Sequence, residues 1–133
     1  MNEICIAKFN GKLPSSIQGN VIRRCFRWGA IKNNYLDAVK NNYPLKTYVA
    51  YFNGKIVGWG IAYRFKYYEY MSNKEKYDDW NFMLYISEKY RRKGIGSEIL
   101  KSAKRSIKGK IVVHPHDNRS YGFFNNNSRR LEY

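Results

Sequence analysis

The stretch Tyr85-Ile86-Ser87-Glu88-Lys89-Tyr90-Arg91-Arg92-Lys93-Gly94-Ile95-Gly96-Ser97-Glu98-Ile99-Leu100 sets three consecutive cations and two glycines directly before an amphipathic pattern. Gly94 and Gly96 let backbone N–H groups approach a ligand without side-chain obstruction. A helix beginning near Ser97 adds its own unpaired amides and the positive end of its dipole, and together these make an anion site. Arg91, Arg92 and Lys93 add charge. The chemistry this suits is the holding of a phosphate or pyrophosphate. Two common nucleotide motifs do not fit. A dinucleotide fingerprint needs a third glycine at position 99, which is Ile99. A Walker loop needs Gly-Lys followed by Ser or Thr, whereas Gly54-Lys55 and Gly109-Lys110 are each followed by Ile.

Such a loop must be carried by rigid elements, and the flanking sequence supplies them. Before it, Trp80–Ile86 (WNFMLYI) is apolar and short enough for a buried strand. After it, Ile99, Leu100, Ala103 and Ile107 share one helical face, while Lys101, Lys104, Arg105 and Lys108 face water and Gly109 ends the helix. The segment 110–115 (KIVVHP) reads as another short buried strand. Upstream, two β-rich runs from Thr47 to Phe65 are joined by Asn53-Gly54, which suits the two positive-φ positions of a type I′ hairpin turn. The aromatic and charged run from Lys66 to Trp80 has no period and reads as an exposed loop. Near the amino terminus, residues 3–9 read as a strand. Ser15 or Ser16 caps a helix whose face is Ile17, Val21, Cys25 and Trp28, with Gly29 as its stop. A further short helix is expected over Asn34–Lys40, with Leu36 and Val39 inward. The order gives an α+β, or mixed α/β, domain.

At 133 residues the chain is expected to be a single domain over 1–133, and its 44% hydrophobic content makes it globular. No apolar run approaches the roughly 20 residues that span a bilayer, and no signal-peptide pattern opens the chain, so a cytoplasmic location is expected and no membrane partner. Cys5 and Cys25 match no zinc spacing and are expected as packing thiols rather than a disulfide. Lys and Arg number 25 against 10 acids, a net charge of +15, and residues 1–68 hold only Glu3 and Asp37 as acids. A field of this sign attracts nucleic acid, acidic protein surfaces or a phosphorylated cofactor. The Lys-, Asn- and Tyr-rich composition suggests an AT-rich genome, bacterial or phage.

The segment 84–100 resembles the acyl-CoA-binding motif of GNAT-type N-acetyltransferases: Arg or Gln, two residues, Gly, one residue, then Gly or Ala. Arg91, Gly94 and Gly96 fill those places. The upstream hairpin is where the family has one, and 112–124 resembles the family's fifth strand running into its last helix. The resemblance covers most of residues 3–125. It implies a central, mostly antiparallel sheet with splayed strands and flanking helices, and acetyl-CoA as the acyl donor. Carried over residue by residue, Tyr85 and Ile86 would offer backbone groups to the pantetheine. Gly94, Ile95, Gly96 and Ser97 would hold the pyrophosphate, with Arg91 and Lys93 in support. Asn118 would touch the cofactor from the far side.

The resemblance implies direct transfer, in which a base takes the proton of the attacking amine. The family's strand carboxylate is missing from WNFMLYI. Asp78 and Asp79 just precede it, and His114 and His116 end the next strand; histidine has the best intrinsic pKa for the task. No third His exists, and Cys5 and Cys25 match no zinc spacing, so these histidines are not expected to form a metal site. The family's thiolate-protonating Tyr falls on Phe124, and Tyr121, one turn earlier, is its substitute. The tail after Phe124 is short for the family's two last strands, which leaves the acceptor side open or completed by a second subunit, a homodimer. The basic charge favours an amine on an acidic protein or RNA over free cationic amines, which it repels. The alternative reading is a basic nucleic-acid- or protein-binding module that grips by charge and by Tyr67, Tyr68, Tyr70 and Tyr77, or a family member that keeps coenzyme A without catalysis.

Overall fold

The computed structural model describes residues 3–24, 29–113, 123–124 and 131–132. Strand β1 (Ile4–Asn10) leads through helices α1 (Ser15–Arg24) and α2 (Gly29–Lys40) into the long hairpin of β2 (Leu45–Phe52) and β3 (Lys55–Tyr63). A second hairpin, β4 (Lys66–Glu69) and β5 (Lys74–Tyr77), precedes β6 (Trp80–Ile86). Helix α3 (Ile95–Ser106), β7 (Ile111–Val113) and the two-residue β8 (Leu131–Glu132) follow. The six-stranded sheet has the order β1-β2-β3-β6-β7-β8. Its first four strands are antiparallel neighbours, while β6–β7 and β7–β8 run parallel. The expected mostly antiparallel α+β sheet with flanking helices is therefore present.

Alternation along the strands makes two cores. Trp59, Ile61 and Tyr63 of β3 and Met83 and Tyr85 of β6 face α1 and α2, where they meet Val21, Ile31, Tyr35 and Ala38. Ala62 of β3 and Phe82 and Ile86 of β6 face α3, where they meet Ile95, Ile99, Leu100 and Ala103. Gly60 lets α3 come close, since a Cβ there would lie 2.8 Å from Ile99 Cγ2. The β2–β3 turn uses Asn53 and Gly54 at φ of 49° and 83°, as the dipeptide requires. Asn53 also ties down β1, its amide and its Oδ1 bonding the carbonyl and amide of Glu3.

Five local expectations are corrected. The run after Phe65 is a paired hairpin rather than a loop, with Lys66–Glu75 (2.9 Å) and Lys76–Glu69 (2.6 Å) ion pairs across its strands. Its aromatic residues hide the alternation because neither face is buried. In α2, Leu36 is exposed, whereas Val39 packs against the core as expected, beside the buried Ile31, Tyr35 and Ala38 at spacings of four and three. The Tyr35 hydroxyl accepts from the Leu13 amide and donates to Gln18, which fixes the helix rotation. Ser15 and Ser16 lie inside the first turn of α1, where the Pro14 carbonyl takes the amides of Ile17 and Gln18, and Gly29 opens α2 rather than closing α1. Cys5 is exposed on the edge strand β1. Cys25 and Trp28 lie outside the described residues. No helix among those described is long and apolar enough to cross a membrane.

Candidate active site

The β6–β7 ladder runs only from Trp80↔Ile111 to Phe82↔Val113. From Met83 onward β6 keeps its pairing with β3 alone among the described strands. Among the described residues, the carboxyl end of β6 thus has an edge free of strand pairing on the side away from β3. Backbone alternation decides which groups occupy that edge. The Ser87 amide donates to the Val57 carbonyl of β3 at 2.8 Å. The Tyr85 carbonyl also faces β3, lying 2.8 Å from where a Cβ on Gly58 would sit. The Ile86 carbonyl points the other way and accepts from Arg91 Nε at 2.9 Å. By the period of two, the amides and carbonyls of Leu84 and Ile86 line the free edge. Of the two strand residues expected there, Tyr85 is turned toward β3, and Leu84 takes its place. Counting back from Ser87 in steps of two would have found this, had the pairing with β3 been known.

Beyond Ser87 a single 3-10 turn (Glu88–Tyr90) bends the chain over β2. Tyr90 packs on Phe52 at 5.5 Å between ring centroids. Both candidate cations rest on aromatic faces: Arg91 lies 5.7 Å from the Tyr85 centroid and Lys93 Nζ 5.5 Å from that of Phe52. Their heads are held near the loop rather than dispersed into solvent. Phe52 and Tyr90 were missed in the sequence because nothing local marks an aromatic 40 residues away as a support for Lys93.

Arg92 and Gly94 both take left-handed backbone, with φ of 65° and 80°. Gly94 is the N-cap of α3, which starts at Ile95, two residues earlier than expected. Glu98 is the first amide to reach an intrahelical carbonyl, that of Gly94 at 3.1 Å. The amides of Ile95, Gly96 and Ser97 therefore project from the helix end, and no side chain caps it. Ile95 is buried and anchors the turn in the α3 core. A Cβ on Gly96 would lie 3.3 Å from the Phe123 ring and 3.4 Å from Leu84, so the glycine keeps the helix end close to the free edge of β6. With an uncapped helix end, two supported cations and a free strand edge adjoining, the residues present fit a pyrophosphate joined to a chain of amides.

On the other face, Tyr63 donates to Asn34 Oδ1 at 3.2 Å, and Asn34 Nδ2 lies 3.4 Å from Met83 Sδ, one residue past the last described β6–β7 pair. Burial raises the Tyr63 hydroxyl above its ordinary pKa and the Asp37 charge adds to this, so it remains a proton donor. Asp78 and Asp79 sit at the opposite end of β6, where Asp78 closes onto the Phe65 carbonyl. Some four residues, about 13 Å of strand, separate Asp79 from Met83, which removes both from the reacting end. Among the described residues no group of three His, Cys, Asp or Glu is placed to hold a metal ion. His114, His116, Asn118 and Tyr121 lie outside the described residues.

A mostly antiparallel sheet with an uncapped, glycine-rich helix start beside the end of β6 fits an acyl-CoA-dependent transferase, and comparison with known proteins agrees. The family model for the acetyltransferase (GNAT) domain matches residues 44–128. A solved aminoglycoside acetyltransferase from an uncultured soil metagenomic sample, in complex with sisomicin, superposes with a TM-score of 0.65 at 21% identity, covering 98% of this chain and 90% of that one. A predicted acetyltransferase with acetyl-CoA from Clostridium acetobutylicum gives 0.63 at 13% identity, covering 96% and 90%. A GNAT family acetyltransferase from Elizabethkingia anophelis with acetyl-CoA bound gives 0.56 at 18%, covering 94% and 74%. Comparison with curated proteins gave no match. This chain belongs to the GNAT acetyltransferase family. It is an acyl-CoA-dependent N-acetyltransferase whose acyl donor is acetyl-CoA.

Proposed function

We propose that this chain, as one domain over 1–133, acetylates an amine carried on an acidic macromolecule, a protein or an RNA. The observation that carries the acceptor class is the net charge of +15, which draws polyanions toward the protein and repels free polycations. The donor side rests on the uncapped start of α3. The amides of Ile95, Gly96 and Ser97 hold the pyrophosphate, Gly94 supplies the turn that exposes them, and Arg91 and Lys93 add charge from their aromatic supports. Leu84 and Ile86 offer backbone groups to the pantetheine along the free edge, Tyr85 supports Arg91 from beneath, and Asn118 contacts the cofactor from the far side.

Acetyl-CoA supplies an acyl carbonyl already activated as a thioester. The chain's own residues then manage two protons. An imidazole nitrogen of His114 or His116, directly or through a water, takes the proton from the acceptor amine, because β6 carries no carboxylate for that task. The Tyr121 hydroxyl gives a proton to the departing sulfur. The rest of the rate enhancement comes from fixing donor and acceptor side by side at the carboxyl end of β6.

The test is release of free thiol from acetyl-CoA with a panel of acceptors at two salt concentrations. Acidic peptides or RNA bearing the acceptor amine should be turned over, with KM rising steeply between 50 and 500 mM salt, an expectation from counterion release. The KM for acetyl-CoA should rise far less, since backbone amides carry part of that binding. Turnover of aminoglycosides or polyamines with none of the acidic acceptors would overturn the acceptor class.

A further inference from the structure

The β4–β5 hairpin has no part in the proposed reaction. It leaves the sheet at the end of β6 opposite the glycine loop, roughly 20 Å away at the rise of an extended strand. It is nonetheless held firmly at its base. Phe65 packs edge-on against Tyr43 and Tyr63 at 5.7 and 5.2 Å, and the Asp78 amide bonds the Phe65 carbonyl at 2.9 Å. Among the described residues, β4 and β5 pair only with each other, an arrangement that is marginal in water unless something covers it.

The register sorts its side chains. Lys66, Tyr68, Glu75 and Tyr77 share one face, and Tyr70 joins them by stacking edge-on upon Tyr68 at 5.4 Å. The Lys66–Glu75 pair offsets two charges on that face, and the Arg64 guanidinium lies 5.7 Å from the Tyr77 centroid at its base, which leaves Tyr68 and Tyr70 as its outer surface with the uncovered part of Tyr77. Tyr68, Tyr70 and Tyr77 expose 48, 89 and 43% of their area, and Met71 at the tip exposes 96%. Tyrosine and methionine are the residues that protein interfaces concentrate.

The charge map says which partner fits. Residues 64–79 hold four cations (Arg64, Lys66, Lys74, Lys76) and four acids (Glu69, Glu75, Asp78, Asp79), a net charge of zero, so the remainder of the chain carries the whole +15. An acidic partner would be drawn to the remainder and away from the hairpin. A neutral, aromatic projection suits a partner whose body carries the same positive sign, because it is where two such bodies meet with least repulsion. We infer that the Tyr68/Tyr70/Tyr77 face docks against the same face of a second copy of this chain, an isologous contact. At about 200 Å² for a large side chain, these residues and Met71 offer roughly 550 Å² per copy. That falls short of the ~800 Å² per partner of a standard interface, so the dimer is weak and concentration-dependent. The contact lies away from the glycine loop and leaves the active site uncovered.

Sedimentation equilibrium of the full chain from 5 µM to 1 mM, at 50 and 500 mM salt, tests this. The expected result is a reversible dimer with Kd on the order of 10–500 µM, tightening as salt screens the repulsion between the two bodies. The double substitution Tyr70→Ser, Met71→Ser should weaken the dimer at least tenfold without altering the melting temperature or acetyl-CoA turnover. A monomer at 1 mM in high salt, a dimer that loosens with salt, or a dimer indifferent to the double substitution would overturn the inference. Turnover is measured independently, so failure here leaves the proposed activity standing.

Discussion

Replacing Gly94 separates the fold's demands on the loop from the ligand's. Gly94 has φ 80° and ψ 6°, and a Cβ there meets nothing within 4 Å. Asn and Asp both tolerate left-handed backbone and both are good N-caps, so each should cost no more than about 1 kcal/mol of folding stability. They differ in charge alone. A carboxylate at position 94 would sit roughly 5–6 Å from a phosphate on the Ile95–Ser97 amides. At an effective dielectric between about 20 and 80, suited to this exposed loop, that repulsion is about 1–3 kcal/mol. Gly94→Asp should therefore bind acetyl-CoA about 5- to 150-fold more weakly than Gly94→Asn, with the gap narrowing at 0.5 M salt. Calorimetric titration of both variants, alongside their thermal melts, measures this. Equal affinities for two folded variants would show that no anion sits at the start of α3, and the donor assignment would fall with it.

Gly58→Ala should destabilise the chain by about 3 kcal/mol, since its Cβ would lie 2.6 Å from Ile86 Cδ1 and 2.8 Å from the Tyr85 carbonyl, and a urea midpoint unchanged from wild type would refute that packing. Burial raises the hydroxyl pKa values of Tyr35, Tyr48 and Tyr63, against the lowering effect of the Leu13 amide on Tyr35 and of Ser106 on Tyr48, while Asp37 raises Tyr63 further. Folded pKa values above the unfolded one leave stability intact below about pH 10, then remove about 1.4 kcal/mol per pH unit per tyrosine as pH rises toward the folded values. Urea midpoints at pH 9, 10 and 11 should follow that fall and fall less steeply in Tyr63→Phe, where Tyr35 and Tyr48 still contribute; a pH-independent midpoint would count against it. His114→Ala or His116→Ala should lower turnover at saturating substrates at least tenfold, and Tyr121→Phe should lower it without changing acetyl-CoA affinity. Near wild-type rates in all three would return the proton to bulk water.

Periodicity made the strands β2, β3 and β6 and the buried face of α3 legible, because Ile99, Leu100, Ala103 and Ile107 can share one side of a helix in only one way. The Asn53-Gly54 turn was legible because few dipeptides accept two positive φ values in succession. The glycine loop was legible for the same local reason, and its cations and glycines alone named a phosphate. What the sequence left open required contacts between distant segments. Whether Tyr85 or Leu84 presents its backbone to the free edge depends on pairing with Val57 and Gly58, nearly 30 residues earlier, since a strand's alternation has no absolute phase until a neighbour sets it. The support of Lys93 by Phe52 and the outward turn of Leu36 were decided likewise by packing across the sheet. The β4–β5 hairpin needed the structure most. With both faces in water it carries no hydrophobic alternation, and only the cross-strand ion pairs reveal that it is ordered.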